Sequence, residues 1–110
     1  MTDEYIPKQK DIIYLDFDPQ SGLEIKKRRP ALVLSKGDYS ERTGLVAVTP
    51  ITHGQKNHVT SITVKGKEID GYVNALQFYT FGFRTRHAQY VEKISNRVFI
   101  KVMNVIRQIF

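Results

Sequence analysis

The chain has 110 residues, 41% of them hydrophobic and 25% charged, which is enough for one domain with one core and too few for two. It has no cysteine, so disulfides and thiolate metal sites are excluded and a reducing compartment suits it. Its 17 lysines and arginines against 11 acids leave a net charge of +6, the balance of a nucleic-acid binder or of a solvated basic surface.

The N-terminal "MTDEYIPKQKD" lacks the apolar region of a secretory signal, and no apolar stretch approaches the roughly 20 residues that span a bilayer. A single cytoplasmic domain over residues 1–110 is expected, with no membrane association. Next comes "DIIYLDFD", residues 11–18, where Ile12, Tyr14 and Asp16 alternate with Ile13, Leu15 and Phe17 as in a half-buried strand. "PQSGLE" carries the Pro, Ser and Gly of a loop. Lys26, Lys27, Arg28 and Arg29 then stand directly before "PALVLS", a short strand opened by Pro30. Four adjacent cations repel one another, and an anion would relieve them.

"KGDYSERTG" is read as a turn cluster and "LVAVTPI" as a third strand interrupted by Pro50. "HVTSITVKG" alternates as a fourth strand, and "GYVNALQFYTF" is a fifth. The period then changes. Ser95 caps a helix in which Val98, Val102, Val105, Ile106 and Ile109 recur at three- and four-residue spacing. Short strands followed by one terminal helix predict a mainly β fold, a small barrel or curved sheet with the helix packed on it.

His53, His58 and His87 lack a carboxylate at helical ligand spacing, and Asp16 with Asp18 alone makes no metal site, so no metal is expected. A serine-hydrolase elbow and a phosphate-binding glycine loop are also absent. What remains is cationic. Arg29, held extended by Pro30, presents a planar fork suited to two phosphate oxygens. Glu24 lies close enough to fold back on it, and the alternative reading is a surface ion pair worth under about 1 kcal/mol. Thr49 and Thr52 flank Pro50, where their hydroxyls either face a cleft or cap turns. Gln77 interrupts an apolar run and needs a polar partner. Tyr79, Phe81 and Phe83 recur at two-residue spacing and so share one strand face, either a core face or a surface on which bases stack. Arg84 and Arg86 follow at once.

Together these stretches resemble the MazF/PemK family of toxin–antitoxin ribonucleases. The resemblance rests on "KQKDIIYLDFDPQSGLEIKKRRPALVLS", with its D-P-x-x-G-x-E loop and R-P junction, on "TGLVAVTPIT", and less closely on "DGYVNALQFYTFGFRTR". It implies an SH3-like barrel with a C-terminal helix, usually a homodimer. It also implies metal-independent, sequence-selective cleavage of single-stranded RNA, chiefly mRNA, and no cofactor. A cognate acidic antitoxin is the expected partner, in a complex that also binds DNA. The resemblance puts the catalytic arginine at Arg29 and the catalytic threonine at Thr52, with Glu24 as the loop glutamate. Lys26, Lys27, Arg28, Thr49, His53, Gln77, Tyr79, Arg84 and Arg86 are expected on the RNA-binding surface. Leu76 stands where many members carry an acid, proposed in some as the general base, so that role does not transfer. Glu24 is one replacement, and His53, beside Thr52, is a possible proton shuttle although the family does not require a histidine there. A related barrel toxin that acts by binding gyrase, or a plain nucleic-acid-binding module, is the competing expectation.

Overall fold

The computed structural model describes residues 4–17, 28–53 and 60–110. Among the described residues, seven strands and two helices run in the order β1 (Asp11–Asp16), β2 (Arg28–Val33), α1 (Gly37–Thr43), β3 (Leu45–Pro50), β4 (Ser61–Lys65), β5 (Asp70–Asn74), β6 (Tyr79–Gly82), β7 (Gln89–Lys93) and α2 (Asn96–Arg107). Five strands form one antiparallel sheet in the order β6-β3-β2-β1-β7, and β4 and β5 form a separate hairpin. The isolated bridge Thr52↔Tyr72 links the two layers. The expected mainly β fold with a C-terminal helix is present, barrel-like rather than a closed ring of strands.

β1 lies between β2 and β7 in the sheet and is not half-buried. Ile12 packs into a core shared with Leu32, Ile51, Val64, Val73, Val102 and Ile106, between the sheet, the hairpin and α2. Ile13 and Leu15 face the opposite way, into a second core with Ala31, Val33, Val46, Val48 and Phe83. Tyr5 and Ile6 of the N-terminal segment help cover that second face. The segment is tied down through buried Asp11, whose carboxylate accepts from Tyr5 Oη at 2.5 Å, the Lys8 N–H at 3.1 Å and Lys93 Nζ at 2.6 Å. Alternation of polarity reports one wet face only when nothing else in the chain covers it.

Three further elements depart from expectation. The supposed turn cluster at 36–44 contains α1, which ends in a left-handed Gly44 (φ 74°) whose N–H returns to the Ser40 carbonyl. The supposed fifth strand is two strands in different layers. Asn74 breaks it by accepting the Leu76 N–H on Oδ1 (3.2 Å) while its carbonyl accepts from the Gln77 N–H (2.8 Å). β7 has no counterpart among the strands expected from the sequence. α2 follows expectation: Ser95 Oγ accepts from the Val98 N–H at 3.3 Å, and Val102 and Ile106 are buried. No helix among the described residues is long and apolar enough to cross a membrane.

Candidate active site

Arg29 enters the site from the second residue of β2, opposite Leu15 of β1. Its Nη2 lies 3.4 Å from Thr52 Oγ1, and its guanidinium sits 5.4 Å from the Phe17 ring centroid. Thr52 follows β3 and is paired on both backbone groups with Tyr72 of β5, at 2.8 and 2.9 Å. That close pairing depends on Gly71. A Cβ there would meet the Thr52 carbonyl oxygen at 2.5 Å and Ile51 Cγ2 at 2.8 Å. Only a residue without a side chain lets the hairpin approach this far.

Together, Tyr14, Arg29, Pro30, Ile51, Thr52, His53, Glu68, Ile69 and Asp70 line one cleft of about 370 Å³. His53 is exposed within it, its Nδ1 3.1 Å from the Asp70 carbonyl oxygen. Glu68 and Asp70 were missed by the sequence reading. No local pattern marks them, because only the folding of the β4–β5 hairpin against Thr52 brings them beside Arg29.

The other expected residues separate into groups. Tyr79 is 44% exposed and parallel to Phe81, with ring centroids 5.7 Å apart. Phe17 meets both rings edge-on at 6.0 and 5.2 Å, so an aromatic surface continues from Arg29 to Tyr79. Phe83 leaves this row and is 2% exposed in the second core, because β6 ends at Gly82. Arg86 stacks over Phe81 at 4.0 Å and donates through Nη1 to the carbonyls of Asp16 and Phe17, securing the end of β1. Arg28 is committed too. It donates to Asp16 Oδ1 at 2.9 Å, the His87 carbonyl at 2.7 Å and Gln89 Oε1 at 3.2 Å. The hydrogen bond from His87 Nδ1 (2.8 Å) lowers the Asp16 carboxyl most; burial opposes it, Arg28 reinforces it, and the net result lies below the usual carboxylate range.

One expectation needs correction, at Thr49, and the structure places Gln77 and Arg84 away from the cleft. Thr49 is fully buried and donates to the Gln77 carbonyl at 2.8 Å, so it braces the β5–β6 turn and does not face the cleft. Gln77 itself is exposed in that turn, so no buried partner is required of it. Arg84 forms a bidentate pair with Glu4 (Nη2 to Oε1, 3.0 Å), lies 4.6 Å over Phe83, and lines a different cavity with Tyr5, His87 and Ala88. Glu24, Lys26 and Lys27 lie outside the described residues. Among the described residues no three His, Asp or Glu side chains cluster so as to hold a metal ion.

An arginine fork and a threonine hydroxyl converge in one cleft of a basic, barrel-like β domain, a donor pair of the kind that suits phosphate oxygens. Comparison with known proteins names the class more narrowly. The profile of the PemK-like, MazF-like toxins of type II toxin–antitoxin systems matches residues 8–110, and the chain belongs to that family. It is 36% identical over 88 residues to the endoribonuclease toxin MazF of Escherichia coli K12, across 80% of this chain and 79% of that protein. The crystal structure of MazF from Deinococcus radiodurans superposes with a TM-score of 0.85 at 30% identity, covering 96% of this chain and 97% of that one. A chain of a MazE–MazF crystal structure from the same organism gives 0.85 at 29% identity, covering 96% of each.

Proposed function

We propose that this protein is an endoribonuclease toxin that cleaves single-stranded RNA, chiefly mRNA, in the cytoplasm. The Arg29–Thr52 pair carries the proposal: the two converge at 3.4 Å in an open cleft, as stabilising one phosphodiester requires. RNA brings its own nucleophile. The 2′-hydroxyl attacks the adjacent phosphorus in line, leaving a 2′,3′-cyclic phosphate and a 5′-hydroxyl. Arg29 neutralises charge developing on the phosphorane, and Thr52 donates to a non-bridging oxygen. Neither step calls for a metal. Glu24, which lies outside the described residues, is proposed as the charge partner of Arg29 on the family resemblance.

The Phe17–Tyr79 surface beside Arg29 supports binding of an unpaired strand, since bases stack on aromatic faces whatever their sequence. An acidic antitoxin segment competes for the same cations, and the protein works as a homodimer. Incubating the purified protein with a long single-stranded RNA in EDTA and mapping both ends tests the proposal. Cyclic phosphate and 5′-hydroxyl termini are expected, and intact RNA would reject it.

A further inference from the structure

We propose that His53 is the general base of this cleavage, the group that takes the 2′-hydroxyl proton. The inference rests on the ribonuclease reading above and fills the role left open by Leu76. That side chain is apolar, 44% exposed and unable to accept a proton where many relatives carry an acid.

The chemistry of the imidazole follows from the hydrogen bond it makes among the described residues. Nδ1 lies 3.1 Å from the Asp70 carbonyl oxygen, and a carbonyl can only accept. Nδ1 therefore carries the hydrogen, and in the neutral ring Nε2 is left with its lone pair free. The ring lines the cleft that holds Arg29 and Thr52. Its backbone is positioned firmly, because the preceding residue, Thr52, is paired with Tyr72 on both N–H and carbonyl. Asp70, which orients the ring, is two residues before Tyr72 on the same strand, so one stretch of β5 places both catalytic neighbours. A histidine held in one tautomer beside a phosphate-binding pair is arranged as a base.

Among the described residues, the other charged and titratable groups lining the cleft are Arg29 from β2, Tyr14 from β1, and Glu68 and Asp70 from the hairpin. Glu68 and Asp70 are the competing bases. A carboxylate is a weaker acceptor near neutral pH than an imidazole, whose basicity lies closer to the working range. In the step itself, Nε2 takes the proton as the 2′-oxygen forms its bond to phosphorus. The bond from phosphorus to the 5′-oxygen breaks, and that oxygen leaves with the electron pair and takes a proton from water. The imidazolium returns its proton to the hydroxide so formed, and nothing is oxidised or reduced.

The test uses the full chain and a short RNA oligonucleotide carrying a cut site mapped on a long transcript. For the wild type, kcat/KM should rise with pH through one inflection as the base loses its proton. His53→Gln should fall by about a hundredfold or more and lose that inflection. Affinity for the same oligonucleotide with 2′-deoxyribose at the cut should stay within about threefold, the range expected when a group acts on the reaction and not on binding. Added imidazole should partly restore His53→Ala. A His53→Gln variant with wild-type rate and profile would overturn the assignment. So would a pH inflection that persists unchanged in His53→Gln, which would pass the role to Glu68 or Asp70. If the wild type cuts no RNA at all, the ribonuclease reading fails first and this proposal falls with it.

Discussion

Arg29 Nη2 stands 3.4 Å from Thr52 Oγ1 although 23 residues separate them in the chain. At that length the bond itself is weak. The sheet holds the pair together, through the Ala31↔Pro50 register and the Ile51 N–H that donates to the Pro30 carbonyl at 2.9 Å. Removing either side chain should therefore spare the fold and damage the chemistry. Arg29→Ala is expected to lower RNA cleavage at least about a hundredfold, as loss of a transition-state charge partner does, and Thr52→Ala somewhat less. Cleavage rates read beside circular dichroism melts check this, and a folded Arg29→Ala variant with wild-type activity would remove Arg29 from the mechanism.

Gly71→Ala tests the framework of the site without touching its polar atoms. The new methyl would collide with backbone at Thr52, which cannot swing aside as a flexible side-chain tip can. Overpacking of this kind costs about 1–3 kcal/mol. Melting should fall by several degrees, and cleavage at a temperature where the variant is still folded should fall further than stability explains, because Thr52 and His53 shift with the displaced hairpin.

Acid should loosen the β4–β5 hairpin through Glu92. Burial raises the Glu92 carboxyl, but the N–H groups of Glu68, Lys67 and Ile69 and the charge of Lys67 outweigh it, leaving the group below the ordinary range. The three N–H contacts measure 2.8, 2.8 and 2.9 Å. Folded Glu92 thus gives up its charge at lower pH than unfolded Glu92, near 4.3. Its contribution to stability is complete above that unfolded value and is lost as pH falls through the folded one. Glu92→Gln should lower the urea midpoint at pH 7 and flatten its decline between pH 5 and 3. An unchanged pH slope would show that other carboxylates dominate.

Glu24→Gln keeps the shape of the side chain and removes its charge. If Glu24 orients Arg29, cleavage should drop by about ten- to a thousandfold. RNA affinity should hold or improve, since a negative charge leaves a phosphate site. The pH inflection assigned to His53 should survive in this variant, which separates an orienting role from a basic one. Unchanged cleavage in Glu24→Gln would take the residue out of the mechanism.

Leu76, Ile100, Ile109 and Phe110 are exposed, and Phe110 lies 6.2 Å from Phe78. A homodimer covering apolar surface of this kind should sediment as one species at micromolar concentration, and Phe110→Asp should shift it toward monomer. Monomer alone in the wild type would count against a dimeric toxin.

The sequence by itself determined the elements whose signal is local. Ser95 and the valine–isoleucine stripe specify α2 because capping and a 3.6-residue period act within a few turns of chain. The R-P junction likewise marks Arg29 as extended and cationic before any fold is known. Tertiary structure decided the rest. Both faces of β1 are buried because distant segments, the N-terminus and α2 among them, cover each side. "GYVNALQFYTF" splits because the Asn74 side chain competes for backbone hydrogen bonds that an alternating apolar pattern assigns to a sheet. Glu68, Asp70 and the orientation of His53 depend on a glycine that lets one hairpin reach a strand end some twenty residues away, and hydropathy has no term for such an approach.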